Sequence, residues 1–286
     1  MNYRHAFHAG NFADVHKHVV LALILAHLRV KPAAFRVIDT HAGAGRYNLL
    51  DAEPSRSGEW RTGIARLWQA AHQDGGLAAD VLDLLAPYLA AIAALNPDGA
   101  LRIYPGSPLI ARTLLRSQDR LLACELEPQS AATLKALLDK GKNVKALAID
   151  GWLALAAYVP PKERRGLVLI DPPFEDPAEF TRLASGFAAA YRKWPSGIYM
   201  LWYPIKERAA ADALARRMAQ LAVPNVLRCE IMMAPPRADA GLVGSGLLVV
   251  NPPFTLERDL RIVLAGIARV LSPHASVRLD WLGRRR

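Results

Sequence analysis

Ten residues, Gly166 to Glu175 (GLVLIDPPFE), join an apolar run to a group that can work on a nucleobase. Neither Pro172 nor Pro173 can donate to a sheet ladder, so the pattern predicts a buried strand that stops at its carboxyl end, just before Asp171. Strand tips of that kind are where open α/β sheets bind ligands. The chemistry that needs an acid, a proline carbonyl and an aromatic ring there is transfer to an exocyclic amine. A nucleobase amino group is planar and conjugated. It attacks poorly unless a carboxylate and a carbonyl accept its two hydrogens and leave its lone pair facing the electrophile. Asp171 supplies the carboxylate, Pro172 the carbonyl, and Phe174 a face to stack on the base. Asn251-Pro252-Pro253-Phe254 could do the same work by composition. Position separates the two, because Asp171 follows a fourth candidate strand tip and Asn251 comes after the last of the strands.

Three earlier strands must bring further groups to the same edge. Phe35–Asp39 runs into THAGAGRY, where Gly43 and Gly45 let the backbone turn tightly and come close to a ligand, with a helix expected next. Arg120–Glu125 ends on an acid suited to the two hydroxyls of a ribose. Val144–Ile149 ends in Asp150-Gly151-Trp152, where Asp150 could accept from an adenine amine or cap the following helix. One ligand-grade group per strand tip, in order, points to an S-adenosylmethionine-dependent methyltransferase sheet. The full G-x-G-x-x-G fingerprint is missing, since Asn48 stands where its last glycine belongs, and a dehydrogenase is the least favoured reading.

Around these strands the chain reads as one α/β domain, Rossmann-like and seven-stranded, over residues 1–286. Residues 1–34 hold a polar, histidine-rich start and an all-round apolar helix set over the cofactor pocket; Asn11 or Ala13-Asp14 begins it, and Asp14, Lys17 and His18 can share a face. Residues from about 49 to 105 form helical stretches without a good strand, an inserted helical subdomain that opens on W-R-T-G. His5, His8, His16 and His18 lack a zinc-type pattern, so no metal is expected.

The 286 residues carry 36 Lys and Arg against 26 Asp and Glu, a net charge of +10 that favours a polyanionic partner. Arginine gathers at Arg112–Arg120, Arg164–Arg165, Arg216–Arg217 and Arg284–Arg286. No long uncharged apolar run predicts a membrane span. Cys124 and Cys229 stand apart in apolar runs, as buried thiols of a reducing compartment do, consistent with a cytoplasmic protein.

Taken together, NYRHAFHAGNFADVHKH, THAGAGRY, YPGSP, the Glu125 strand, Asp150-Gly151, IDPPFE and GSGLLVVNPPF resemble the RlmJ family of 23S ribosomal RNA adenine-N6 methyltransferases, over nearly the whole chain. The resemblance implies a monomeric class I fold, S-adenosyl-L-methionine as cofactor and 23S ribosomal RNA as partner. It sets cofactor contacts at His18, His41, Ser107, Glu125, Asp150 and Gly151, the catalytic acid at Asp171, and an RNA-contacting tyrosine at Tyr3, with Lys17 beside the pocket on the substrate side. Phe174 stands where relatives often carry tyrosine, which keeps the stacking face. A DNA adenine methyltransferase suits the same tetrapeptide but usually needs a recognition domain, and no second domain is visible. A non-catalytic RNA-binding or ribosome-assembly protein would not retain the cofactor.

Overall fold

The computed structural model describes residues 5–139, 141–235 and 241–283. A short 3-10 turn, His5–Phe7, precedes helix α1 (Phe12–Val30). Asn11 begins that helix: its side chain accepts from the amides of Ala13 and Asp14 at 2.9 and 3.0 Å, satisfying donors that a helix start leaves free. From Ala13 to Leu25 every residue of α1 is buried, which is why it reads apolar on all sides.

After β1 (Arg36–Asp39) and the THAGAG loop comes not a helix but a short strand, β2 (Arg46–Asn48). Tyr47 turns its hydroxyl back on the loop, so that a Cβ on Gly43 would sit 2.3 Å from it. The Gly45 carbonyl accepts from the Gly106 amide at 2.9 Å, holding the segment beside its partner strand. Helices α2 (Ala52–Ser57), α3 (Glu59–Thr62), α4 (Ile64–His72) and α5 (Ala79–Ala93) follow, and β3 (Ile103–Pro105) then pairs antiparallel with β2. The helical stretch is thus bracketed by a two-stranded sheet that the sequence reading lacked.

The remaining elements alternate: α6 (Ser107–Leu114), β4 (Arg120–Glu125), α7 (Pro128–Leu138), β5 (Val144–Ala148), α8 (Gly151–Tyr158), β6 (Gly166–Ile170), α9 (Glu179–Lys193), β7 (Ile198–Ile205), α10 (Arg208–Gln220), β8 (Val226–Met232), β9 (Gly244–Val250), α11 (Leu256–Leu271) and β10 (Ser276–Leu282). The main sheet has the order β10-β8-β9-β7-β6-β1-β4-β5. Strands β5, β4, β1, β6 and β7 run parallel, while β9 enters antiparallel between β7 and β8. This is the expected seven-stranded class I sheet with an eighth strand, β10, added antiparallel on β8.

The fully buried β6 shows how the sheet makes two cores. Leu167 and Leu169 face the layer that holds α1, α5, α6 and α11, whereas Val168 and Ile170 face α8, α9 and α10. Helix α5 of the insertion therefore shares a core with α1. From β1 the chain moves outward through β4 and β5 and then crosses back to β6 on the other side of β1. The strand order reverses between β1 and β6, and a crevice opens at their carboxyl ends.

At the opposite end of the sheet two of the predicted arginine clusters have structural partners. Arg116 donates to the carbonyls of Arg29, Lys31 and Ala33 at 3.1, 2.8 and 3.2 Å, and Arg165 to those of Leu28 and Ala33 at 3.1 and 2.6 Å. Both close the carboxyl end of α1, whose last carbonyls lack helical partners. Arg216 and Arg217 face solvent on α10, and Arg284–Arg286 lie outside the described residues.

Candidate active site

The crevice at the β1/β6 reversal is a cavity of about 700 Å³. Its wall includes His18, His41 and Ser107 from the first half of the chain, Glu125, Asp150 and Gly151 from the next two strand tips, and Lys17 with Asp171 between them. Folding thus brings together every described residue that the sequence marks for the cofactor. Tyr3 lies outside the described residues.

Asp171 follows directly on β6, and its Oδ2 takes a hydrogen bond from the Lys17 ammonium. The same ammonium lies 3.0 Å from Asp14 Oδ1, one helical turn back. Asp14 Oδ2 accepts from the Gly10 amide at 2.9 Å and lies 3.2 Å from His5 Nε2. Lys17 and Asp14 are buried, at 4% and 3% exposure, so neither charge could be left unmatched. Burial pushes the Asp14 carboxyl up, but Lys17, His5 and His18 together hold it well below its usual range. Lys17, set beside the pocket on the substrate side by the resemblance, lies in the cavity wall between two carboxylates. The three groups sum to one negative charge, and Asp171 Oδ1 is left for another donor.

On the cofactor side, His18 Nδ1 lies 2.7 Å from the Tyr104 hydroxyl, itself 2.9 Å from that of Tyr88. Burial lowers the His18 pKa to about 3 and that of His41 to about 4, so both rings are neutral near pH 7. The tautomer of His41 follows from Thr40. That hydroxyl has one proton, given to the Leu169 carbonyl at 2.9 Å, so the contact of 2.8 Å to His41 requires Nδ1–H to donate and leaves Nε2 an acceptor. Gly151 packs against this ring: a Cβ there would lie 2.3 Å from the Thr40 carbonyl and 2.7 Å from His41 Nε2.

Ser107 donates to Asp39 Oδ2 at 2.6 Å, while Asp39 Oδ1 is buried without a hydrogen-bond partner. Burial raises the Asp39 carboxyl to about 7. Glu125 is held by two backbone amides, Gly43 to Oε2 and Glu127 to Oε1, each at 2.8 Å. Asp150 caps α8 through Oδ1, which accepts from the amides of Trp152 and Leu153 at 2.9 and 3.0 Å. Its other oxygen stands 3.9 Å from Arg182, whose guanidinium lies over the Trp152 ring. Asp150 therefore caps a helix and still presents an acceptor.

Pro172 is buried behind Asp171, and neither it nor Phe174 lines the cavity. Phe174 has φ +53, its ring 4.7 Å from Phe180 and 5.7 Å from Trp202. Trp202 also faces the Lys17 ammonium at 5.8 Å. The rival tetrapeptide is elsewhere: Val250 pairs with Tyr199 at the beginning of β7, so Asn251 lies at the far end of the sheet from Asp171. Its side chain donates to the carbonyls of Pro195 and Gly197 at 2.7 and 2.8 Å.

Each histidine of the N-terminal motif meets a different part of the chain: His5 with Asp14, His8 with Glu59, His16 with Ser245 and His18 with Tyr104. Among the described residues no group of three or more His, Cys, Asp or Glu side chains is placed to hold a metal ion. No helix among them is long and apolar enough to cross a membrane. Sequence reasoning gave no site role to Asp39, Tyr104 or Arg182. Asp39 had a signal, an acid at a strand end before a glycine loop; the other two are brought in by tertiary packing.

Residues 32–283 match the family described as "Ribosomal RNA large subunit methyltransferase D, RlmJ". The chain is 41% identical over 286 residues to the "Ribosomal RNA large subunit methyltransferase J" of Escherichia coli K12, covering 99% of each. It is 38% identical over 285 residues to the protein of the same name from Haemophilus influenzae, again over 99% of each. The crystal structure of LPL1258 from Legionella pneumophila superposes with a TM-score of 0.88 at 34% identity, covering 98% of this chain and 100% of that one.

Proposed function

Because the chain belongs to the RlmJ family of ribosomal RNA large subunit methyltransferases, we propose that it methylates the N6 amine of an adenine in 23S ribosomal RNA, using S-adenosyl-L-methionine. The observation that carries this reading is Asp171: one carboxylate oxygen is fixed by Lys17, the other is uncommitted, and both stand at the strand-order reversal in the wall of the cavity.

The residues present fit the cofactor. Asp39 Oδ1, beside Ser107, is a buried acceptor without a hydrogen-bond partner, and Gly151, having no side chain, lets His41 and the Thr40 carbonyl stand against the wall. Glu125 is presented by two amides toward a ribose, and Asp150 Oδ2 is an acceptor for an adenine amine; Ser107, His18 and His41 complete the wall. When bound, the cofactor supplies a methyl group activated by its sulfonium charge. The single net negative charge on Asp14, Lys17 and Asp171 complements that cation.

The protein's work is then alignment. Asp171 Oδ1 accepts one N6 hydrogen, the Pro172 carbonyl accepts the other, and the lone pair of N6 is left free to attack. Asp171 takes up the proton that N6 sheds. Phe174, backed by Phe180 and Trp202, stacks on the adenine, which must leave its helical stack to reach the acid. The protein acts as a monomer in the cytoplasm, where its RNA substrate is made, and Tyr3 contacts that RNA.

The test is transfer of label from S-adenosylmethionine to unmodified 23S RNA, to 5S RNA and to duplex DNA, followed by nucleoside analysis. Label is expected as N6-methyladenosine in 23S RNA alone. Asp171→Ala should abolish it while S-adenosylhomocysteine still binds nearly as before. Label in DNA, or another labelled nucleoside, would overturn the reading.

A further inference from the structure

The insertion meets the N-terminal motif through W-R-T-G, a segment with no residue in the cavity wall. The Ile64 amide donates to the Gly10 carbonyl at 2.8 Å. Gly63 is so close that a Cβ on it would lie 2.2 Å from that carbonyl oxygen and 2.8 Å from Asn11 Cα. Gly10 has φ +75, and a Cβ there would lie 2.7 Å from Ile64 Cγ2. Flanking contacts pin the junction: Glu59 accepts from Asn11 Nδ2 at 2.9 Å and meets His8 Nδ1 at 3.0 Å, and the Ser57 hydroxyl donates to the Phe7 carbonyl.

From Gly10 an unbroken series of contacts leads to the reacting carboxylate. The Gly10 amide donates to Asp14 Oδ2, Asp14 Oδ1 faces the Lys17 ammonium, and Lys17 donates to Asp171. Asp14 Oδ2 thus faces Gly10 and His5 while Oδ1 faces Lys17: moving Gly10 turns the carboxylate and shifts the ammonium.

We propose that Gly63 is a positioning residue, through which the helical insertion seats Gly10 and thereby fixes Asp14, Lys17 and Asp171. The proposal rests on Asp171 being the reacting acid. It gives the insertion a task in the reaction although it contributes nothing to the contacts of Asp171 itself. Misplacing a reacting group by about 1 Å can cost on the order of 100-fold in rate, so a junction three contacts away can set turnover.

The experiment compares Gly63→Ala, Glu59→Ala and Gly75→Ala in the full-length protein, with Asp171→Ala alongside. Gly75 lies in the same insertion, has φ +72 and nothing within 4 Å of its Cβ direction, so alanine there strains the insertion without touching Gly10. Expected for Gly63→Ala is a kcat on unmodified 23S RNA lowered roughly ten- to 100-fold, with the Kd for S-adenosylhomocysteine within about twofold and faster hydrogen exchange at the Gly10 amide. Glu59→Ala should lower kcat by a smaller factor in the same pattern, and it decides the matter should Gly63→Ala fail to fold. Gly75→Ala should lower Tm and leave kcat alone. Full kcat in both Gly63→Ala and Glu59→Ala, or an equal loss in Gly75→Ala, would overturn the proposal while an inactive Asp171→Ala leaves the underlying reading intact. Turnover surviving in Asp171→Ala would overturn that reading instead.

Discussion

Lys17 and Asp171, 154 residues apart, share a hydrogen bond in which the ammonium of the first helix fixes one oxygen of the acid after β6. The pair is part of a triad, because Asp14 holds the same ammonium from the other side. Lys17 therefore compensates two carboxylates at once, the buried Asp14 and Asp171 in the cavity wall. Replacing it with methionine would leave both facing each other in a low-dielectric site, and removing one partner of a buried pair typically costs about 3 kcal/mol or more. Lys17→Met is expected to lower the urea midpoint accordingly, and Asp14→Asn with Lys17→Met to recover a large part of the loss. Equal stability of the single and double variants would mean that Asp14 is not balanced by Lys17.

Gly151 keeps His41 and the Thr40 carbonyl in place by having no side chain. In Gly151→Ala the new methyl group would need the space of the imidazole, so the ring must turn away from the cavity. The Kd for S-adenosylhomocysteine should rise about tenfold or more, which is ~1.4 kcal/mol of binding free energy. Calorimetric titration of the purified variant checks this; an unchanged Kd would show that the position of His41 does not matter for the cofactor.

Asp39 makes stability depend on pH. Its carboxyl titrates near 7 in the folded chain against an ordinary 3.8, because burial disfavours the charge. Between those values the folded state binds more protons than the unfolded one, so this group's contribution falls as pH rises through the window. Asp39→Asn keeps an acceptor for Ser107 and removes the charge. Its Tm should exceed that of the parent at pH 8 and approach it at pH 5, with each kcal/mol worth roughly 2–4 °C in a chain of this length. Parallel Tm curves for the two proteins would exclude a buried carboxyl titrating in this range.

The strand-tip residues were legible as a series: Glu125 ends β4, Asp150 follows β5 and Asp171 follows β6, each weak alone but telling in order. What joins them was not legible. Asp14 and Lys17 share a helical face at a spacing of three, which sequence shows, but their third partner arrives through the sheet order. Strand β2 was hidden for a similar reason, since Tyr47 is drawn back by its contact with Gly43 and its pairing with β3, both tertiary. The half-exposed edge strand β10 has no continuous apolar run and is tied to its neighbour partly by Arg228, which donates to Asp280 at 2.8 Å. Arg116 and Arg165 looked like contacts for a polyanion until the carboxyl end of α1 was placed between them.

Asn251 and Asp171 begin two similar tetrapeptides that the fold puts to opposite uses. Asn251 has φ +52, a conformation that asparagine tolerates better than alanine does, and its amide satisfies two carbonyls at the far end of the sheet. Asn251→Ala would strand both carbonyls and strain the turn, a loss of about 2 kcal/mol with kcat and cofactor affinity unchanged. Asp171→Ala should do the reverse and remove turnover without a comparable fall in Tm. Measuring kcat and Tm for both variants separates the roles: a drop in kcat from Asn251→Ala beyond that explained by unfolding would mean that the far end of the sheet is coupled to the site, since no substrate atom at Asp171 could reach Asn251 directly.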